Sequence, residues 1–184
     1  MNLISVTGKN WVLKKFNSED VDYYKSNYFV DEIVAKLLSI RKIKKEDIKF
    51  FLEPSIKNIL PNPYSLKDMK ISIQRTVKAI LKKEKIGIFG DYDVDGATST
   101  AILGNFFSTL GIPFEIYIPD RKKEGFGPNE KGFLEFIKKG ATLIFTVDCG
   151  TLSYEPMQFA KNKEIDVIIL DHHQSEISLP NAHS

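Results

Sequence analysis

Two textures alternate along this chain. Up to about residue 65 the apolar positions recur at helical spacing. "FVDEIVAKLLSIRK" places them at 29, 30, 33, 34, 37 and 38, one face of a helix. "KKEDIKFFLEP" predicts a second short helix, stopped by Pro54, and "ILPNPYS" a linker, because Pro61 and Pro63 cannot continue a helix. "SLKDMKISIQRTVKAILKKEK" then predicts a long amphipathic helix, capped by Ser65 with Asp68 three residues on.

From Ile86 the pattern becomes strand–helix–strand. "KIGIFG", "PFEIYIP", "ATLIFTVD" and "IDVIILD" are short apolar runs that predict strands. Between them "GATSTAILGNFFSTLG", "NEKGFLEFIKKG" and "YEPMQFAKNK" predict helices, the second capped by Asn129 and stopped by Gly140. Continuously apolar strands alternating with helices imply an α/β fold, an open parallel sheet with helices on both faces. The expected organisation is a small helical N-terminal segment, residues 1–65, followed by the α/β domain, residues 66–184.

The polar residues are placed as informatively as the apolar ones. In open α/β sheets ligands bind beyond the carboxyl ends of the strands. Asp91, Asp93 and Asp95 follow the first strand, Asp120 and Arg121 the second, Asp148 the third, and Asp171, His172 and His173 the fourth. Ionisable groups therefore gather on one edge of the sheet. Carboxylates so placed repel one another, and some would stay protonated without a counter-charge. Divalent cations relieve this. Oxygen ligands with one or two imidazoles suit Mn²⁺, Mg²⁺ or Zn²⁺, and the carboxylate majority favours the harder ions. Two such ions roughly 3.5–4 Å apart are the usual apparatus of phosphoester hydrolysis.

Each piece taken alone has a plainer meaning. Asp–Gly at a strand end is ordinary turn chemistry. "DYDVDG" resembles a fragment of a calcium loop, but Ile102 stands twelfth from Asp91 where such a loop needs glutamate. Asp148 could cap the segment after it, and paired histidines are often structural. It is their joint placement that argues for metal. Gly96 lets the chain turn sharply from strand into helix. Thr98 and Ser99 follow it, either as helix caps or as part of an anion site at the helix start. "PDRKKEGFGPN" is either a solvated turn or a phosphate-gripping loop with Arg121 as its cation.

Composition narrows the rest. The 184 residues are 42% hydrophobic and 27% charged, enough for a sizeable core. A net charge of +2 is too mild to argue nucleic-acid binding by itself, and the lysine clusters read as solvated faces. The single cysteine, Cys149, excludes an internal disulfide and fits a reducing cytoplasm, where it would be a small buried residue. "MNLISVTGKNW" lacks a basic start followed by an apolar run, which argues against a secretory signal. No stretch approaches the roughly 18 apolar residues of a membrane span.

Four ordered stretches, "GDYDVDGATST", "IPDRKKEGFGPN", "TVDCGT" and "LDHHQ", resemble the motifs of the DHH phosphoesterase superfamily. Within it the likeness is greatest to the single-strand-specific 5′→3′ exonucleases of bacterial DNA repair and recombination. "FLEPSIKNILPNPYSLKDM" is similar to a segment that those enzymes carry before the first motif and that the small-substrate members lack. The resemblance implies Asp93, Asp95, Asp148 and His172 as ligands of Mn²⁺ or Mg²⁺, with a two-metal site. It implies that His173 joins them in catalysis, that Asp91 and Asp171 support the site, and that Arg121 and Asn129 handle substrate, with Gly96, Thr98 and Ser99 the candidate phosphate site read above from the helix start. Phe89 stands where some superfamily members have a histidine.

Single-stranded DNA is the implied partner, with single-strand-binding protein and a helicase as associates and a monomer as the expected state. Family members continue past the fourth motif with a further metal-binding aspartate and a strand-gripping domain. The expectation is therefore an N-terminal piece with one ligand missing and little exonuclease activity of its own. Two alternatives stay open. One is a phosphodiesterase of short oligoribonucleotides or cyclic dinucleotides, and the other a non-catalytic remnant.

Overall fold

The computed structural model describes residues 3–184; Met1 and Asn2, part of the N-terminal stretch read above, lie outside the described residues. The chain divides into two compact units, one ending at Asn62 and the other spanning Pro63–Ser184.

The first unit opens with a short antiparallel pair, β1 (Leu3–Ile4) and β2 (Asn10–Trp11), which the sequence pattern did not reveal. Helices α1 (Ser18–Tyr28) and α2 (Glu32–Ile40) follow. Asn17 and Asp31 cap them, each side chain accepting a backbone N–H two residues on. A 3₁₀ turn at Lys45–Asp47 leads into α3 (Ile48–Leu52), and α4 (Ile56–Ile59) lies in the stretch before the unit boundary. Val21, Tyr24, Ala35, Leu38 and Ile48 form the small core.

The second unit is the expected α/β sheet. A 3₁₀ turn at Pro63–Ser65 precedes α5 (Met69–Leu81). Ser65 does not cap this helix. The proline fixes a tight turn that absorbs Ser65, and Asp68, at φ 55°, becomes the residue before the first turn without a side-chain cap. Strands β3 (Lys85–Phe89), β4 (Phe114–Tyr117), β5 (Ala141–Val147) and β6 (Asp166–Leu170) pair in parallel in the order β4-β3-β5-β6. Between them lie α6 (Val94–Thr109), the short α7 (Arg121–Glu124), α8 (Glu130–Lys138) and α9 (Tyr154–Asn162).

Strand alternation divides the core between two faces. Ile86 and Ile88 of β3, with Leu143, Phe145 and Val147 of β5, pack with Ala79 of α5 and Phe107 of α6. Phe89, Ile144 and Val167 face the other way, against Phe133 and Phe136 of α8 and Met157 and Ala160 of α9. Both faces of the central strands β3 and β5 are therefore covered, which is why those two read as near-continuous apolar runs. Burying a ring such as Phe133 or Phe136 contributes about 2–3 kcal/mol by area removed from water.

At the amino end of the sheet Arg75 of α5, 8% exposed, binds Glu84 at 2.7 Å, and its Nε donates to Asp166. Thr142 at the start of β5 donates to the same Glu84 oxygen. One cation thus ties the entrances of three strands. No described helix is long and apolar enough to cross a membrane.

Candidate metal centre

The chain visits its strands so that β3, the first of the sheet, lies between β4 and β5. The direction of winding reverses there, and such a reversal opens a crevice at the carboxyl ends of the strands. Asp91 and Asp93 leave β3 on one side of it, and Asp148 leaves β5 on the other.

Asp93 is the N-cap of α6. Its Oδ1 accepts the Gly96 N–H at 3.0 Å, so the helix begins at Val94, two residues before the expected start. That hydrogen bond, foremost, holds the Asp93 carboxyl below the usual carboxylate range. Asp148 is its counterpart. It is 5% exposed, sits in the left-handed region at φ 60°, and both its carboxylate oxygens are buried without a hydrogen-bond partner. Burial, and then the neighbouring Asp93, push its pKa up. Its Oδ1 lies 3.0 Å from Nε2 of His172, close but without hydrogen-bond alignment.

Asp171 organises the double histidine. It accepts the N–H groups of Thr151 at 3.0 Å and His173 at 3.1 Å and meets Nδ1 of His173 at 2.7 Å. Burial opposes its ionisation, but these hydrogen bonds prevail and hold its pKa at about 2. In the neutral imidazole an Nδ1–H donated to Asp171 leaves Nε2 bare, the arrangement that carboxylates impose on ligating histidines. The same contact pushes the His173 pKa up.

Two triads have ligand atoms within 4.8 Å of one another: Asp91, Asp93 and Asp148; and Asp148, His172 and His173. Asp148 is shared between them. The donor set, oxygen-rich with imidazoles on one side, fits a hard divalent ion, and the unpartnered oxygens of Asp148 and Asp91 are what a cation would satisfy. Asp95 stands outside both triads. It is exposed in the first turn of α6 and lines a cleft of about 860 Å³ together with Asp148, His172 and His173.

The remaining sequence candidates fall around this cluster. Arg121 lies 4.8 Å over the ring of Tyr92, which stands between Asp91 and Asp93. Asn129 caps α8 through Oδ1, and its Nδ2 is buried without a partner. Thr98 and Ser99 border the cleft, but their hydroxyls donate to the carbonyls of Val94 and Asp95. Those protons, like the Gly96 N–H, serve the first turns of the helix. Cys149 is wholly buried, and burial raises its thiol pKa. Sequence reasoning missed Thr151 as a holder of Asp171 and Tyr92 as the platform for Arg121. Both contacts join residues at least 20 positions apart in the chain, and no local pattern encodes them.

Residues 85–184 match the N-terminal domain of the DHH family, and the chain belongs to that family. It is 36% identical over 172 residues to the single-stranded-DNA-specific exonuclease RecJ of Bacillus subtilis (strain 168), covering 93% of this chain and 22% of that protein. It is 33% identical over 132 residues to RecJ of Escherichia coli (strain K12), covering 71% and 23%. The chain thus spans about a fifth of the length of these curated relatives. A crystal structure of exonuclease RecJ bound to manganese matches with a TM-score of 0.59 at 31% identity, over 64% of this chain and 30% of that one. RecJ in complex with Mn²⁺ from Thermus thermophilus shares the fold, with a TM-score of 0.65 at 22% identity over 92% of this chain and 23% of that one.

Proposed function

We propose that this chain carries the metal-holding core of an exonuclease that hydrolyses phosphodiester bonds of single-stranded DNA from the 5′ end. The observation that carries the reading is the shared Asp148, buried with both oxygens unpartnered between Asp93 and His172. The likeness to RecJ proteins supports the substrate class, and that to the manganese-bound exonuclease RecJ supports Mn²⁺, with Mg²⁺ as the other candidate.

Asp93, Asp148 and His172 would hold the metal, with Asp91 and His173 within reach and Asp95 available from the rim of the cleft. When bound, such an ion polarises a phosphoryl oxygen and makes a water acidic near neutral pH. The protein's own groups do the rest. Asp171 keeps the Nδ1 proton of His173 away from the cluster. Arg121 offers a cationic donor to phosphate oxygens.

Calorimetric titration of residues 1–184 with Mn²⁺ tests the metal site. Saturable binding should vanish in Asp148→Ala, and no heat at millimolar Mn²⁺ would overturn the proposal. Substrate class is tested by comparing Mn²⁺-dependent release from single-stranded DNA, duplex DNA and dinucleotides. Preference for dinucleotides would move the chain to the oligoribonucleotide branch.

A further inference from the structure

We infer that Glu124 is a positioning residue that holds the turn from Asp120 to Gly125 beside the acid cluster, so that Arg121 stays over Tyr92 where a phosphate arrives. This rests on the reading of Arg121 as the phosphate-binding cation.

Glu124 ends α7, in a turn rich in cations, yet its side chain is only 14% exposed. It collects donors from three directions. The Tyr117 hydroxyl of β4 donates to Oε2 at 2.5 Å, and the Asp120 N–H at the start of the turn donates to Oε1 at 3.1 Å. Lys131 Nζ of α8 lies 3.4 Å from Oε2. Tyr117 is itself fixed by stacking on the wholly buried Phe89, with ring centroids 5.3 Å apart. One carboxylate thus bolts both ends of a four-residue helix to the sheet and to the next helix.

The geometry beyond the bolt gives it a use. Glu124 turns inward to Tyr117, while Arg121, one turn earlier, lies over Tyr92. Tyr92 stands between Asp91 and Asp93 in the chain, so the guanidinium lies over the side chain that separates the two aspartates leaving β3. An exposed Glu–Lys pair alone would contribute little to order. The two hydrogen bonds to a buried-side hydroxyl and to the backbone of the turn are what set the register of α7. The Tyr117 hydroxyl also holds the Glu124 carboxyl below its ordinary range.

Two measurements on residues 1–184 test the inference. The first is the ring-current shift of the Arg121 side-chain protons by NMR, with Tyr92→Leu as the reference for its loss. Glu124→Ala should collapse the shift, and Glu124→Gln, which keeps an acceptor for Tyr117 and for the Asp120 N–H, should restore most of it. The second is affinity for a 5′-phosphorylated single-stranded oligonucleotide without divalent metal. Arg121→Ala and Glu124→Ala should each weaken it by roughly tenfold, and the double variant by no more than either, since coupled residues are non-additive.

An unchanged Arg121 shift in folded Glu124→Ala, or additive losses in the double variant, would overturn the assignment. If Glu124→Ala does not fold, Tyr117→Phe removes one donor and keeps the ring. A preserved Arg121 shift there would overturn it equally. A wild-type chain that binds no oligonucleotide, with a shift that still collapses in Glu124→Ala, would sink the proposed function and leave the positioning role standing.

Discussion

A Cβ on Gly96 would stand 2.5 Å from the carbonyl oxygen of Asp91, and 2.6 Å from its nitrogen. The first turn of α6 therefore rests directly on the backbone of the first aspartate, and this contact holds Asp91 and Asp93 in one cluster. Overpacking of this kind costs about 1–3 kcal/mol. Gly96→Ala should lose that much in urea unfolding, and its Mn²⁺ affinity should fall because the two carboxylates can no longer close on the same point.

Asp148 and Asp93 set function against stability. A buried carboxylate with unpartnered oxygens beside a like charge strains the metal-free protein. Asp148→Asn should raise metal-free stability by about 1 kcal/mol, the usual gain when an active-site strain is removed. The same variant should lose the stabilisation by Mn²⁺, which in the wild type amounts to about 2.7 kcal/mol at a hundredfold excess over Kd. Thermal melts with and without Mn²⁺, and after chelation, check both statements.

The His173–Asp171 contact predicts opposite pH trends for the metal-free and metal-bound chains. The His173 pKa is raised in the folded state, first by the side-chain hydrogen bond to Asp171. Its stabilising contribution is complete below the unfolded value of about 6.5 and disappears as pH rises through the folded value. Metal-free stability should therefore decline above about pH 6.5, and less so in His173→Gln. Mn²⁺ affinity should climb over the same interval, because protons compete with the metal for the imidazole. Urea unfolding and calorimetry from mildly acidic to mildly alkaline pH would show both.

At the opposite end of the sheet the sign reverses. Burial raises the Glu84 pKa, but the Thr142 hydroxyl and the Arg75 guanidinium outweigh it and leave it lowered. Such a group stabilises above its unfolded value, about 4.3, and the contribution is lost as pH falls through the folded value. Acid destabilisation should set in below about pH 4.3 and be shallower in Glu84→Gln. Arg75→Met, which leaves two carboxylates facing each other, should cost about 3 kcal/mol at neutral pH without changing the Mn²⁺ Kd of the folded protein.

Much of the fold was legible because local chemistry and tertiary packing agree. Asn129 reads as a cap in "NEKGF" and is one, accepting the Gly132 N–H. The central strands β3 and β5 were legible because burial on both faces leaves little polar alternation to confuse them. Ser65 misled because a capping pattern says nothing about the proline turn that precedes it. The antiparallel pair β1–β2 went unseen because two-residue strands carry no periodicity.

The amino-acid sequence by itself determined that strands and helices alternate from Lys85 onward and that each strand delivers polar groups at its carboxyl end. Hydrophobic runs and turn residues act over a few positions, so a one-dimensional pattern records them. Only the tertiary structure decided that β3 and β5 are neighbours, and hence that Asp93 and Asp148 meet across the crevice. It alone buried the Asp148 oxygens, turned Asp95 to the rim, and aimed Glu124 at Tyr117. Those outcomes depend on contacts between residues far apart in the chain, and their energies exist only once the sheet has closed.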